Sequence, residues 1–176
     1  WDRVAADRVD EFVSISETVK RRIEKYYRRS SKVVYPPVET ENISPVNDIG
    51  DYYLVLSRLV PYKRVDIAVK AFNELGKKLI IAGTGQQLRA LRRMANSNII
   101  FEGFVTPERK IELLKHCRAL VFPGEEDFGI VPVEAQAAGR PVIAYGKGGA
   151  TETIVDGVTG LFFYERTPES LAEAIN

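Results

Sequence analysis

The chain has 176 residues, with 25 Lys and Arg against 24 Asp and Glu, 45% apolar residues, one Cys and one His. That length supports an ordinary core; a single Cys excludes an internal disulfide, and one Cys with one His excludes the usual Cys/His cage for structural zinc. A net charge of +1 argues against a nucleic-acid binder, and the short apolar runs and lack of a basic-then-apolar leader point to the cytosol.

Charge is unevenly placed. Residues 1–38 carry nine basic and six acidic side chains, leaving 16 and 18 for residues 39–176. Phe12–Ile15 is a short strand candidate, Ser16 a cap for a helix running to about Arg28, and Val33–Tyr35 a second strand stopped by Pro36-Pro37. Residues 39–51 are polar and aperiodic and read as a connection. The chain thus divides into an amino-terminal segment, 1–38, and a domain, 39–176.

From Tyr52 the pattern becomes regular. Strands are predicted at Tyr52–Ser57, Lys78–Ala82, Asn98–Phe101, Ala119–Phe122, Pro141–Ala144 and Gly160–Tyr164. Between them lie helices at Val65–Leu75, ended by Gly76, and at Gln86–Ala95, Glu108–His116 and Val131–Ala138; another begins at Pro168. Short apolar strands alternating with helices of about ten residues indicate a doubly wound, Rossmann-like α/β fold with a parallel sheet and right-handed crossovers. Ligands in such folds sit beyond the carboxyl ends of the strands, which directs attention to the loops after Ser57, Ala82, Phe101, Phe122 and Ala144.

The richest of these loops is FPGEEDFGIVPVEAQAAGR, residues 122–140. An acidic run, Glu125-Glu126-Asp127, precedes Phe128-Gly129 and a helix with Pro132 in its first turn. The free N–H groups at Ile130 and Val131 form a natural anion site, and Gly129 permits close approach to the backbone. Glu126 and Glu134, eight positions apart, are expected to face one cleft. Carboxylates beside an anion site suit a polyol carrying phosphate, since carboxylates accept from hydroxyls while cations and N–H groups hold phosphate. Arg58 and Lys63, in SRLVPYKRVD, supply the cations at the first strand's end. Gly83-Thr84-Gly85 makes a glycine turn, although Leu88 breaks the dinucleotide fingerprint. Gly146–Glu152 makes a third glycine-rich loop.

Five motifs in order, SRLVPYKRVD, IAGTGQQL, FEGFV, EDFGIVPVEAQAAGRPVIA and GGATETIVDGVTGLFF, make Tyr52–Ile175 resemble the nucleotide-binding C-terminal domain of GT-B glycosyltransferases of retaining family 4. The resemblance implies that Arg58 and Lys63 hold the donor diphosphate, Glu126 the donor sugar and Glu134 the ribose. It implies that Phe128, Gly129, Ile130 and Val131 present backbone to sugar and phosphate, and that Val105 and Lys110 lie at the base. The branch most resembled is the mannosyltransferases that use GDP-mannose. That implies a nucleotide-diphosphate sugar as substrate, no metal or separate cofactor, and a glycan or lipid-linked acceptor held by a preceding domain outside this chain. Residues 1–38 resemble the tail of that domain and its linker.

Blander readings exist for each residue. Glu126 alone would be one of three solvated acids, Glu134 an exposed helix glutamate, and Arg58 and Lys63 surface charges. His116 reads as structural and Cys117 as a small buried filler. The basic run Lys20–Lys32 is expected to pack on the domain outside this chain, with contact to an anionic inner membrane face as the alternative. The two amino-terminal strands, deprived of a sheet, are expected either to pack on another copy, by self-association, or to be poorly ordered. Other function classes are an epimerase or phosphorylase of the same fold and a non-catalytic nucleotide-binding domain.

Overall fold

The computed structural model describes residues 2–176. Six parallel strands form the main sheet: β3 (Tyr52–Leu56), β4 (Lys78–Ala82), β5 (Ile99–Gly103), β6 (Leu120–Phe122), β7 (Val142–Tyr145) and β8 (Gly160–Phe163). Their order is β5-β4-β3-β6-β7-β8. The chain winds outward from β3 in one direction, then returns to start β6 on its other side, so the sheet reverses between β3 and β6. That reversal opens a crevice at the carboxyl ends of the two strands.

Both sheet faces are covered, which is why the strands read as continuous apolar runs. Adjacent residues along each strand point to opposite faces. Val55, Ile81, Val121 and Ile143 belong to one core with Phe72 of α3 (Val65–Leu75), Leu91 of α4 (Leu88–Met94) and Leu171 of α8 (Pro168–Ile175). Leu54, Ile80, Leu120 and Val142 belong to the other, with Leu113 and Leu114 of α5 (Pro107–His116) and Ala135 of α6 (Ile130–Ala137). Cys117 is fully buried in this second core, and burial pushes its thiol up to about 12, so it acts as an inert filler.

Residues 39–51 contain no helix or strand, yet they are pinned to the domain. Ile43 enters the second core, buried Arg140 donates to the Val46 carbonyl at 2.5 Å, and His116 Nδ1 meets the Asp48 carbonyl at 2.9 Å. His116 therefore serves the fold.

The amino-terminal segment departs most from expectation. It opens with a one-turn helix, α1 (Asp2–Ala6), followed by β1 (Val13–Ser14) and β2 (Lys32–Val33). The two strands pair with each other in parallel, leaving Val13, Ile15, Val34 and Tyr35 exposed. Between them α2 (Glu17–Tyr27) is capped by Ser16, as its sequence predicts, and closed by Arg28 in the left-handed conformation. This basic helix is tied to Glu125, Asp127 and Glu152 of the same chain. The N–H groups of Glu17 and Thr18 donate to the Glu152 carboxylate at 2.8 and 2.9 Å. Arg22 donates to Glu125 and Asp127. Ile23, on its apolar side, is buried. No helix among the described residues is long and apolar enough to cross a membrane.

Candidate functional site

Two adjoining cavities open at the reversal point. One, of about 530 Å³, is lined by Gly83, Val105, Lys110 and Glu134; the second, of about 440 Å³, by Lys63, Glu126, Phe128 and Gly129. Leu56, Ser57, Arg58, Ile130 and Val131 line both and form the shared lip. Arg58, Lys63, Gly83, Val105, Lys110, Glu126, Phe128, Gly129, Ile130, Val131 and Glu134, the candidate donor-site residues, all line this bipartite hollow. The expected single cleft for both acids is in fact divided, with Glu126 in one compartment and Glu134 in the other.

The division follows from where the chain puts the two acids. Glu134 lies in the second turn of α6, its side chain buried, with Lys110 from α5 donating to it at 2.6 Å. Glu126 precedes the helix in the loop after β6 and accepts from Lys63, itself in a short 3₁₀ turn (Pro61–Lys63) beyond β3. Gly124 allows that approach, because a Cβ there would lie 3.0 Å from the Lys63 Cα. Burial, and next the Arg58 guanidinium, press Lys63 below the ordinary lysine value. Two crowded cations would be relieved by an anion set between them.

The three consecutive acids have separate fates. Arg22 of α2 engages Glu125 and Asp127, and Arg166 donates to Glu125 at 2.6 Å. Asp127 also lines the Glu126 cavity but is paired with Arg22 and half exposed, whereas Glu126 is mostly buried on Lys63, so the three acids are not equivalent. Gly129, at φ 93°, then starts α6, which has no side-chain cap hydrogen bond. Its first N–H groups stay open at the shared lip, where they and the helix dipole favour negative charge.

The third glycine loop lies against the back of the acidic loop. The Gly149 N–H donates to the Glu126 carbonyl at 2.7 Å, and a Cβ on Gly149 would stand 2.3 Å from the Phe128 Cα. Backbone cannot yield there, so Gly149→Ala should destabilise the fold by about 3 kcal/mol, measured by denaturant titration. A loss below about 0.5 kcal/mol would show that the loops are not held this closely.

Some lining residues carry no sequence signal. Phe104, 82% exposed, stands at the mouth of the Glu134 cavity with Thr84, Thr106 and Pro107. It lies in the quoted motif FEGFV, in a loop already flagged, and an exposed aromatic there was the available clue. Ile15 and Pro36, from the amino-terminal segment, wall the Glu126 cavity.

Comparison with known proteins fits this architecture. Residues 38–176 match the family of glycosyl transferases group 1. The chain belongs to that family. Among its relatives, the alpha-1,3/1,6-mannosyltransferase of Dictyostelium discoideum is 29% identical over 97% of this chain and 52% of its own length. A GDP-mannose-dependent alpha-(1-6)-phosphatidylinositol monomannoside mannosyltransferase of Mycolicibacterium smegmatis is 35% identical over 71% of this chain and 41% of its own. The crystal structure of Anabaena HepE in complex with UDP-glucose superposes with a TM-score of 0.87 at 24% identity, over 99% of this chain and 56% of that one. The chain thus spans about half the length of the curated relatives it matches. As a group 1 glycosyltransferase fold, its six-stranded parallel sheet with helices on both faces is that of GT-B, Rossmann-like domains.

Proposed function

We propose that this chain is the donor-binding half of a retaining hexosyltransferase that moves mannose from GDP-mannose to a glycan or lipid-linked acceptor, held by a part of the enzyme outside this chain. The observation carrying this reading is the bipartite hollow, in which Arg58 and the start of α6 form a lip common to two acid-lined compartments. A nucleotide-diphosphate sugar has that layout. Its diphosphate rests on the lip between Arg58, Lys63 and the N–H groups near Ile130. Its nucleoside extends toward Lys110, Val105 and Glu134, and its hexose toward Glu126. The mannosyltransferase names of two relatives support the choice of sugar, and the GDP-mannose dependence of one supports the choice of base.

Breaking the bond from the anomeric carbon to the diphosphate oxygen leaves positive charge on the sugar ring and sends the electron pair to the diphosphate. The acceptor hydroxyl then bonds to that carbon as its proton passes to an oxygen of the departing diphosphate. Arg58, Lys63 and the helix start are aimed where the negative charge grows, which lowers the barrier. Calorimetric titration of the chain with GDP-mannose, UDP-glucose, GDP and UDP tests the assignment. The expected result is binding of both guanine compounds and weaker binding of the uracil pair. No heat with any of the four at millimolar concentration would refute the donor-site reading.

A further inference from the structure

The Glu126 cavity is not built by residues 39–176 alone. Two of its wall residues, Ile15 and Pro36, come from the amino-terminal segment. They are 21 positions apart in sequence, and the same carboxylate holds a residue two positions after Ile15 and the residue just before Pro36. Glu152 of α7 (Ala150–Thr153) accepts from the N–H groups of Glu17 and Thr18, at 2.8 and 2.9 Å, and from the Thr18 hydroxyl at 2.9 Å. It also accepts from the Tyr35 hydroxyl at 3.3 Å. The first set fixes the chain from two positions after Ile15, and the second fixes it directly before Pro36.

The grip is well made. Ser16 and Thr18 are buried, and the carboxylate caps the amino end of α2, where negative charge is favoured. Burial acts to raise the Glu152 carboxyl, yet the donors from Glu17, Thr18 and Tyr35 hold it below its ordinary value, so it is ionised at neutral pH. Tyr35 also lies against the Phe128 ring, with centroids 5.8 Å apart, and Phe128 lines the same cavity. One charged group thereby ties two strand-end stretches and the acidic loop into a single wall.

We propose that Glu152 is a positioning residue for the donor's hexose, acting through Ile15, Pro36 and Tyr35 without touching the sugar. The inference rests on the donor-site reading above and deepens it, because it assigns the amino-terminal segment to the sugar compartment and leaves the nucleoside compartment independent of it. The two compartments give separate readouts. Titrations of the chain with GDP report the lip and the Glu134 side, whereas the ratio of GDP-mannose to GDP affinity reports the sugar side.

In Glu152→Ala that ratio should fall about tenfold while GDP affinity stays within about twofold of the parent. Tyr35→Phe removes one exposed hydroxyl, is expected to leave the fold intact, and should lower the ratio about threefold. Glu152→Gln, which keeps an acceptor but loses the charge, should fall between them. A ratio within twofold of the parent in Glu152→Ala, or an equal loss of GDP and GDP-mannose affinity, overturns the proposal. Should Glu152→Ala fail to fold, an unchanged ratio in Tyr35→Phe overturns it on its own. A parent chain that binds GDP but not GDP-mannose any better also overturns it and leaves the nucleotide site standing; one that binds neither overturns the donor-site reading itself.

Discussion

Lys63→Ala should lower transfer about a hundredfold in the enzyme that carries this chain, with a smaller effect on donor affinity. On the proposed reading, Lys63 sits where the leaving diphosphate gains charge, so its contribution is larger in the transition state than in the bound donor. Its removal also leaves Glu126, now without its cation, facing the same anion. Arg58→Ala should cost a similar factor, because Arg58 lines both compartments and Lys63 only one. Exposed Arg58 is the better test of direct charge stabilisation, since its loss orphans no buried partner. Steady-state kinetics on the acceptor substrate give the split. A turnover within twofold of the parent for either variant would reject the assignment. A large rise in KM with unchanged turnover would instead place these cations in ground-state binding.

The fold was legible where local pattern and tertiary setting agree. All six strands of the main sheet occupy their expected segments, because the central strands are largely buried on both faces and write apolar runs into the sequence, while the edge strands β5 and β8 keep apolar runs despite exposed Ile100 and Leu161. Differences at their ends follow from pairing. β5 runs on to Gly103 instead of stopping at Phe101, since Gly103 is drawn into register with Ala82 of β4 across a bulge. Helices α1 and α7 escaped notice because five and four residues are too short to show a period. The site was legible as a set of residues, since the loops after parallel strands converge whatever their sequence separation. What could not be read was how the acids are divided among partners. Arg22 and Asp127 lie 105 positions apart, and Glu17 and Glu152 lie 135 apart, and no periodicity announces such contacts. For the same reason the pairing of Arg22 with Glu125 and Asp127 could not be read from the basic run of α2.

Glu134→Ala should weaken GDP binding about thirtyfold while leaving the hexose increment, the ratio of GDP-mannose to GDP affinity, close to that of the parent. Glu134 is 7% exposed, and the Lys110 ammonium lies 2.6 Å from it. Removing one partner of a mostly buried pair leaves the other uncompensated, so part of the loss is the cost of stranding Lys110. A second variant separates the two contributions. Glu134→Gln keeps an acceptor of the same shape for Lys110 and for a sugar hydroxyl, and charge-assisted hydrogen bonds are about twice as strong as neutral ones. It should therefore recover a substantial part of the affinity lost in Glu134→Ala. Lys110→Met, which strands the acid instead of the base, should weaken GDP less than Glu134→Ala if the carboxylate is the group that meets the ribose. Calorimetry on the three variants, with thermal melts to verify folding, decides the matter. Equal losses in Glu134→Ala and Lys110→Met, with no recovery in Glu134→Gln, would reduce Glu134 to a structural ion-pair partner and remove it from the ligand.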